Sequence, residues 1–208
     1  MDMNRIPFYQ YNTIIVGTGA AGLNAAVTLH KLGQKNIALI TEGRYMGTSR
    51  NTGSDKQTYY KMTQCGSEPD SVRKMAKTLF EGGCVDGDIA MAEAAGSLRA
   101  FYHLVDIGVP FPFNKSGEYV GYKTDHDPLK RGISAGPLTS KYMTECLERQ
   151  AEERGIPFFD GYQAVRLLTE EKDGEKRAAG IIALNKQKAA SPDERYAVFS
   201  AVNIIWAT

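Results

Sequence analysis

Thr13-Ile14-Ile15-Val16-Gly17-Thr18-Gly19-Ala20-Ala21-Gly22 is the stretch that decides the fold of this 208-residue chain. Thr13 to Val16 are β-branched throughout, which suits a buried parallel strand. The chain then turns at Gly17, and the spacing predicts a helix from near Gly19. Gly17 permits the tight turn, Gly19 lets a pyrophosphate approach the backbone, and Gly22 lets the helix lie close on the strand. At the helix N-terminus, N–H groups without intrahelical partners and the positive end of the dipole favour an anion. The implied ligand class is an ADP-containing dinucleotide.

Glycine is common at turns, so Gly-x-Gly-x-x-Gly gains its force from context. The predicted helix runs through Leu32 and stops at Gly33, with Ala26 extending the small-residue face begun by Gly22. A second apolar strand, Ile37 to Ile40, follows, and Glu42 lies just past its end. About twenty positions after the last glycine, a carboxylate is placed to hydrogen-bond both adenosine ribose hydroxyls and to repel a 2′-phosphate, which disfavours NADP. The competing reading is a glycine turn with a solvated Glu. Gly43 to Asp55 is rich in glycine and hydroxyl donors, so this loop can wrap a second phosphate or ribityl chain; a plain polar loop is the alternative.

Formal net charge is +1, so nothing electrostatic points to nucleic acid or an anionic membrane. No apolar run approaches membrane-spanning length, and Met1 to Arg5 begins no secretory signal. Cys65, Cys84 and Cys146 are widely spaced and read as free thiols of a reducing compartment, which predicts a cytoplasmic protein. Three scattered histidines make a multi-histidine metal site an unlikely reading of this chain.

Beyond the loop, a helix is expected from Ser71, with Val72, Met75, Ala76, Leu79 and Phe80 on one face. A longer helix follows, capped by Asp88 or its neighbour, with Ile89, Ala92, Leu98, Leu104 and Val105 at helical spacing. The Met and Phe residues of these helices are expected in the core. Phe111 to Pro137 is irregular and is read as a solvated loop; the functional alternative has Thr124 to Arg131 supply a base or an anion clamp, with His126 between two aspartates. Pro137 suits the first turn of another helix, and a short strand is expected over 156–159. Runs at 164–168, 179–184 and 196–199 read as an antiparallel meander, and Asn203 to Thr208 reads as a separate buried strand. A buried strand at the very end of the chain predicts an N-terminal fragment.

Taken in order, the glycine run, Glu42, the Gly47-Thr48-Ser49 loop, the helix after Gly136-Pro137-Leu138, the meander from Ala164 and Ile204-Ile205-Trp206-Ala207-Thr208 carry a family resemblance. The chain resembles the FAD-binding segment of the fumarate reductase/succinate dehydrogenase flavoprotein family. The resemblance implies an α/β, Rossmann-like FAD-binding domain over residues 1–208, a parallel sheet plus an antiparallel β-meander. In that family the last strand runs into Ala-Thr-Gly-Gly, which implies a chain cut before a capping substrate domain.

Carried over by position, Gly17, Gly19, Ala20, Ala21 and Gly22 would bind the pyrophosphate and Glu42 the adenosine ribose. Gly47, Thr48 and Ser49 would meet the phosphate or ribityl side, and the backbone of Ala164 or Val165 the adenine. Members with covalent flavin carry a histidine just after a serine in this loop; here Arg50 follows Ser49, so the FAD is expected to be non-covalent. The family's Ala-x-Gly-Gly is replaced by Thr52-Gly53-Ser54-Asp55, which leaves the flavin-ring contacts and the substrate open. The expected reaction is hydride transfer to or from an activated carbon–carbon bond, with an unsaturated carboxylate as the small-molecule substrate. A catalytically inert nucleotide-binding fragment and an NAD-dependent dehydrogenase are the alternatives. Arginine and histidine residues that handle a dicarboxylate lie in the family's capping domain, so no catalytic residue is assigned here.

Overall fold

The computed structural model describes residues 6–54, 57–125, 127–191 and 193–208. The chain divides into two compact units, Met1–Asn51 with Leu147–Thr208, and Thr52–Cys146. In chain order the elements begin β1 (Phe8–Val16), α1 (Ala20–Lys31), β2 (Ile37–Thr41) and α2 (Thr48–Asn51). Next come β3 (Tyr59–Tyr60), α3 (Val72–Glu81), α4 (Gly87–Asp106) and β4 (Gly132–Ile133). The chain closes with α5 (Thr139–Glu153), β5 (Phe158–Asp160), β6 (Tyr162–Lys172), β7 (Glu175–Asn185) and β8 (Tyr196–Trp206).

In the first unit one six-stranded sheet runs β5-β2-β1-β8-β7-β6. β5, β2, β1 and β8 are mutually parallel, and β8, β7 and β6 form the antiparallel meander. The α/β architecture is the expected one. β2 is buried along its whole length, and Ile15 of β1 faces Gly22 of α1. On the other face Ile14, Val16, Ile40, Ile181 and Phe199 pack into one core, with Tyr9 stacked on Phe199 at 4.9 Å. The β6–β7 hairpin turns through Asp173 and Gly174, both at positive φ, the backbone that a two-residue primed turn demands.

The third meander run and the terminal run, expected as two strands, are one. β8 is continuous and pairs with β1 from Phe8↔Val198 to Val16↔Trp206, so β1 also begins earlier than the apolar pattern suggests. The backbone ladder carries β8 across Ser200, where the side-chain pattern breaks. The terminal run is not fully buried either: Asn203 and Thr208 are exposed, and Trp206 is 52% exposed. The paired part of β7 ends at Gly180↔Ser200, so residues beyond 200 have a ladder partner on the β1 side alone. β5 starts two residues later than expected, because Pro157 has no N–H to give and serves the ladder through its carbonyl, which accepts from Leu39 at 3.0 Å.

In the second unit Ser71 caps α3, its hydroxyl accepting from the Lys74 N–H at 3.2 Å. The cap of α4 is Asp86 rather than Asp88; its carboxylate accepts from the N–H groups of Asp88 and Ile89. The buried stripe of α4 is Ala90, Ala94, Ser97, Phe101 and Leu104, so Ile89 and Ala92 lie outside it, and Ile89 is 65% exposed. Small Ala90 and Ala94 let α3 close onto α4 through Met75 and Ala76. Ser97 enters the core because its hydroxyl bonds Ala94 O and accepts the Met62 N–H, a role hydrophobicity does not reveal. Phe80 and Met91, expected in the core, are exposed on the outer faces of their helices.

Candidate functional site

The site is built where β1 ends. Gly17 sits at φ +108° and donates its N–H to Ile40 O at 2.8 Å, while Val16 O accepts from Ala207 N–H at 2.8 Å. A Cβ at Gly17 would lie 2.4 Å from the Ala207 carbonyl oxygen, and a Cβ at Gly22 2.1 Å from the Gly17 oxygen. Both positions therefore require glycine. Gly19 caps α1 in extended backbone with no side-chain cap, and the first turn of α1 holds no acidic residue. The Ala20 N–H donates to Ser49 Oγ at 3.3 Å, and the Thr18 hydroxyl donates to Thr41 Oγ1 at 3.0 Å, joining the turn to the loop and to the end of β2.

A cleft of 520 Å³ opens beside this turn, and its lining includes Gly17, Gly19, Glu42, Gly47, Thr48 and Ser49. Ala164 and Thr208 also line it. Ala20 does not line the cleft but ties to it through the bond of its N–H to Ser49, Ala21 is exposed on α1, and Gly22 is buried beneath the turn. Val165 is not among the lining residues. A register shift between Ala164 and Arg166 in the β6–β7 ladder leaves it out of pairing and 50% exposed, so Ala164 is the member of the expected pair that meets the cleft. The region expected as a loop after Glu42 contains one turn of helix, α2, which presents Thr48 and Ser49.

Two groups of charged residues here escaped the sequence patterns. Glu148 on α5 accepts from both Arg44 and Arg50, the residues flanking the Gly47-Thr48-Ser49 segment, and Glu152 also takes Arg44. The Arg44 backbone N–H donates to Asp160 Oδ1 at 2.8 Å, and its guanidinium lies 4.1 Å from the Phe158 ring centroid. Burial works against the Arg44 charge, but hydrogen bonds to Glu148 and Glu152 outweigh it and raise its pKa above the ordinary value. Lys186 Nζ donates at 2.9 Å to Oε1 of Glu42, which lines the cleft. Arginines on both sides of a glycine loop were a visible signal; nothing in the sequence singled out Lys186.

In the second unit Arg131 overturns the solvated-loop reading, because its side chain is 1% exposed. Its guanidinium is bidentate to Asp70, at 2.9 and 2.7 Å, and also donates to Tyr60 Oη and Thr78 Oγ1. These bonds commit it to the fold, so it is no anion clamp. Asp127 is buried too, whereas Lys123, Asp125 and Lys130 are exposed as expected. Burial, then a hydrogen bond with Asp127, pushes the Tyr60 phenol up to about 12. His126 and Asp55 lie outside the described residues.

The cleft fits the ADP half of a dinucleotide: close-approach glycines, a helix N-terminus whose cap residue Gly19 offers no side chain, and a carboxylate one strand over. A model of the FAD binding domain family matches residues 12–208. The chain belongs to this family. FAD is thus its dinucleotide, and the NAD-dependent alternative falls away. L-aspartate oxidase of Pseudomonas aeruginosa is 29% identical over 195 residues, covering 86% of this chain and 34% of the relative. The 8-methylmenaquinol:fumarate reductase flavoprotein subunit of Wolinella succinogenes is 29% identical over 155 residues, covering 73% of this chain and 25% of that one. Among solved structures, a quinol fumarate reductase of E. coli superposes with a TM-score of 0.79 at 20% identity, over 98% of this chain and 33% of that chain. The chain thus spans about a third or less of the relatives it matches. Among the described residues no helix is long and apolar enough to cross a membrane.

Proposed function

We propose that this chain is the FAD-binding part of a flavoprotein oxidoreductase that exchanges hydride with an activated carbon–carbon bond of a small unsaturated carboxylate. The observation that carries this reading is the cleft in which the α1 N-terminus, Glu42 and the Thr48-Ser49 turn converge. FAD supplies the two-electron chemistry when bound. In this reading Gly17, Gly19 and the Ala20 N–H hold the pyrophosphate, and Gly22 keeps α1 close enough to do so. Glu42 accepts from the ribose hydroxyls, the Ala164 backbone meets the adenine, and Gly47, Thr48 and Ser49 face the ribityl side.

Attachment is non-covalent in this reading, since the residue after Ser49 is Arg50, tied to Glu148, and not a histidine. The substrate class draws on the relatives, whose names refer to aspartate and fumarate, both small dicarboxylates. In this reading none of the described residues binds or protonates such a substrate, so the 208 residues alone are catalytically inert. Three unbridged cysteines support a reducing, cytoplasmic setting.

Purification of the full-length protein tests this. The expected preparation is yellow, releases its flavin on acid precipitation, and reduces fumarate-like acceptors with a reduced dye. A full-length protein that purifies colourless and gains no visible absorbance with added FAD would overturn the reading. Turnover by the 208-residue chain alone would overturn its inertness.

A further inference from the structure

A cation reaches the cleft through Glu42. The chain leaves β7 through a short 3-10 turn, Lys186–Lys188, and this turn is fastened to the start of β6. The Lys186 N–H donates to Gly161 O at 2.8 Å. The Asn185 side chain accepts the Gln187 N–H at 3.1 Å and donates to Tyr162 Oη at 3.1 Å. Gly161 sits at φ +81°, and a Cβ there would lie 3.4 Å from Gln187 Nε2, so the turn packs closely on this glycine. With its backbone held, the Lys186 side chain crosses to Glu42, which lines the cleft.

The Lys186 and Glu42 side chains are 42% and 46% exposed. An ion pair that open adds little to fold stability. Its placement has another consequence. One ammonium hydrogen bonds Oε1 and leaves Oε2 as an acceptor, while two further N–H bonds can serve as donors. A pair of neighbouring hydroxyls, each both donor and acceptor, is the complement of that arrangement.

We propose that Lys186 completes the adenosine-ribose subsite, orienting Glu42 and donating to a ribose hydroxyl oxygen, so that the site selects nucleotides with free vicinal 2′,3′-hydroxyls. Lys186 is a specificity-determining residue that acts partly through Glu42. The proposal rests on the FAD-binding reading above.

Titrations of FAD, ADP and 2′-deoxy-ADP against wild type, Lys186→Met, Lys186→Arg, Glu42→Gln and the Glu42→Gln/Lys186→Met double variant test it. Lys186→Met weakens FAD and ADP by the same factor, about three- to tenfold, because both share the adenosine half. It weakens 2′-deoxy-ADP less, and Lys186→Arg stays within about twofold of wild type for all three. In the Glu42→Gln background Lys186→Met weakens binding by a smaller factor than in wild type, since the carboxylate it orients is gone and only its own bond to the ribose remains. A purely structural lysine would lower the melting temperature and leave the ADP to 2′-deoxy-ADP ratio unmoved. Wild type that binds FAD and ADP normally while Lys186→Met is silent, or is equally harmful with and without Glu42→Gln, overturns this proposal alone. Wild type that binds neither nucleotide overturns the functional reading and this proposal with it.

Discussion

At Gly17 the backbone holds φ +108° while the Ala207 carbonyl occupies the space a side chain would need. Gly17→Ala therefore combines left-handed strain with a backbone clash. It should cost about 2–3 kcal/mol of stability and abolish measurable FAD binding, read by urea unfolding and by flavin fluorescence quenching. Gly22→Ala meets the Gly17 oxygen instead, pushing α1 off the turn. Its FAD affinity should fall with its stability, because the helix N-terminus is what the pyrophosphate meets. Gly33 differs: it is also left-handed, at φ +98°, yet a Cβ there would meet nothing within 4 Å. Gly33→Ala should cost only about 1 kcal/mol and leave FAD affinity unchanged, which separates glycines of the turn from a glycine of the helix stop.

Among the elements, α5 fastens the segment after β2. Its Glu148 gathers Arg44 and Arg50, and so ties down both ends of the segment that presents Thr48 and Ser49. All three side chains are mostly buried, at 17%, 11% and 11% exposed for Arg44, Arg50 and Glu148. Neutralising the shared carboxylate takes the Glu148 charge away from both guanidinium groups, while Arg44 keeps Glu152. Glu148→Gln should cost about 2 kcal/mol, and FAD affinity should fall about tenfold as the loop loosens; isothermal titration and thermal unfolding measure the two effects. The helices of the second unit answer to ordinary capping. Ser71→Ala, which removes the acceptor for the Lys74 N–H, should cost about 1 kcal/mol in urea unfolding.

For the molecule as a whole, the acid limit of stability is set in part by the second unit, where Asp70 and Arg131 form a pair with both side chains 1% exposed. Burial alone would raise the Asp70 carboxyl, but hydrogen bonds from Arg131 and from the Thr63 and Ser71 N–H groups outweigh it and hold its pKa below the usual range. A carboxyl with a depressed folded-state pKa contributes stability that is complete above its unfolded value, about 4, and is lost as pH falls through the folded one. Urea midpoints should therefore fall below about pH 4, and Asp70→Asn should cost about 3 kcal/mol at neutral pH while flattening that acid slope. None of this was legible in the loop around Arg131, whose composition reads as solvated; its partner lies 61 positions upstream. By contrast, the glycine run, the two strands around it and Glu42 were legible, because turn geometry, strand periodicity and the reach of a carboxylate are fixed by residues a few positions apart. The same holds for FAD as ligand, through the order of those motifs. The fusion of two apolar runs into β8, the exclusion of Val165 by a register shift, the Arg44–Glu148–Arg50 tie and the reach of Lys186 to Glu42 were decided by tertiary structure alone. Each depends on which backbone lies alongside which, and that is set by the global register of the sheet and the docking of loops, which local sequence does not encode.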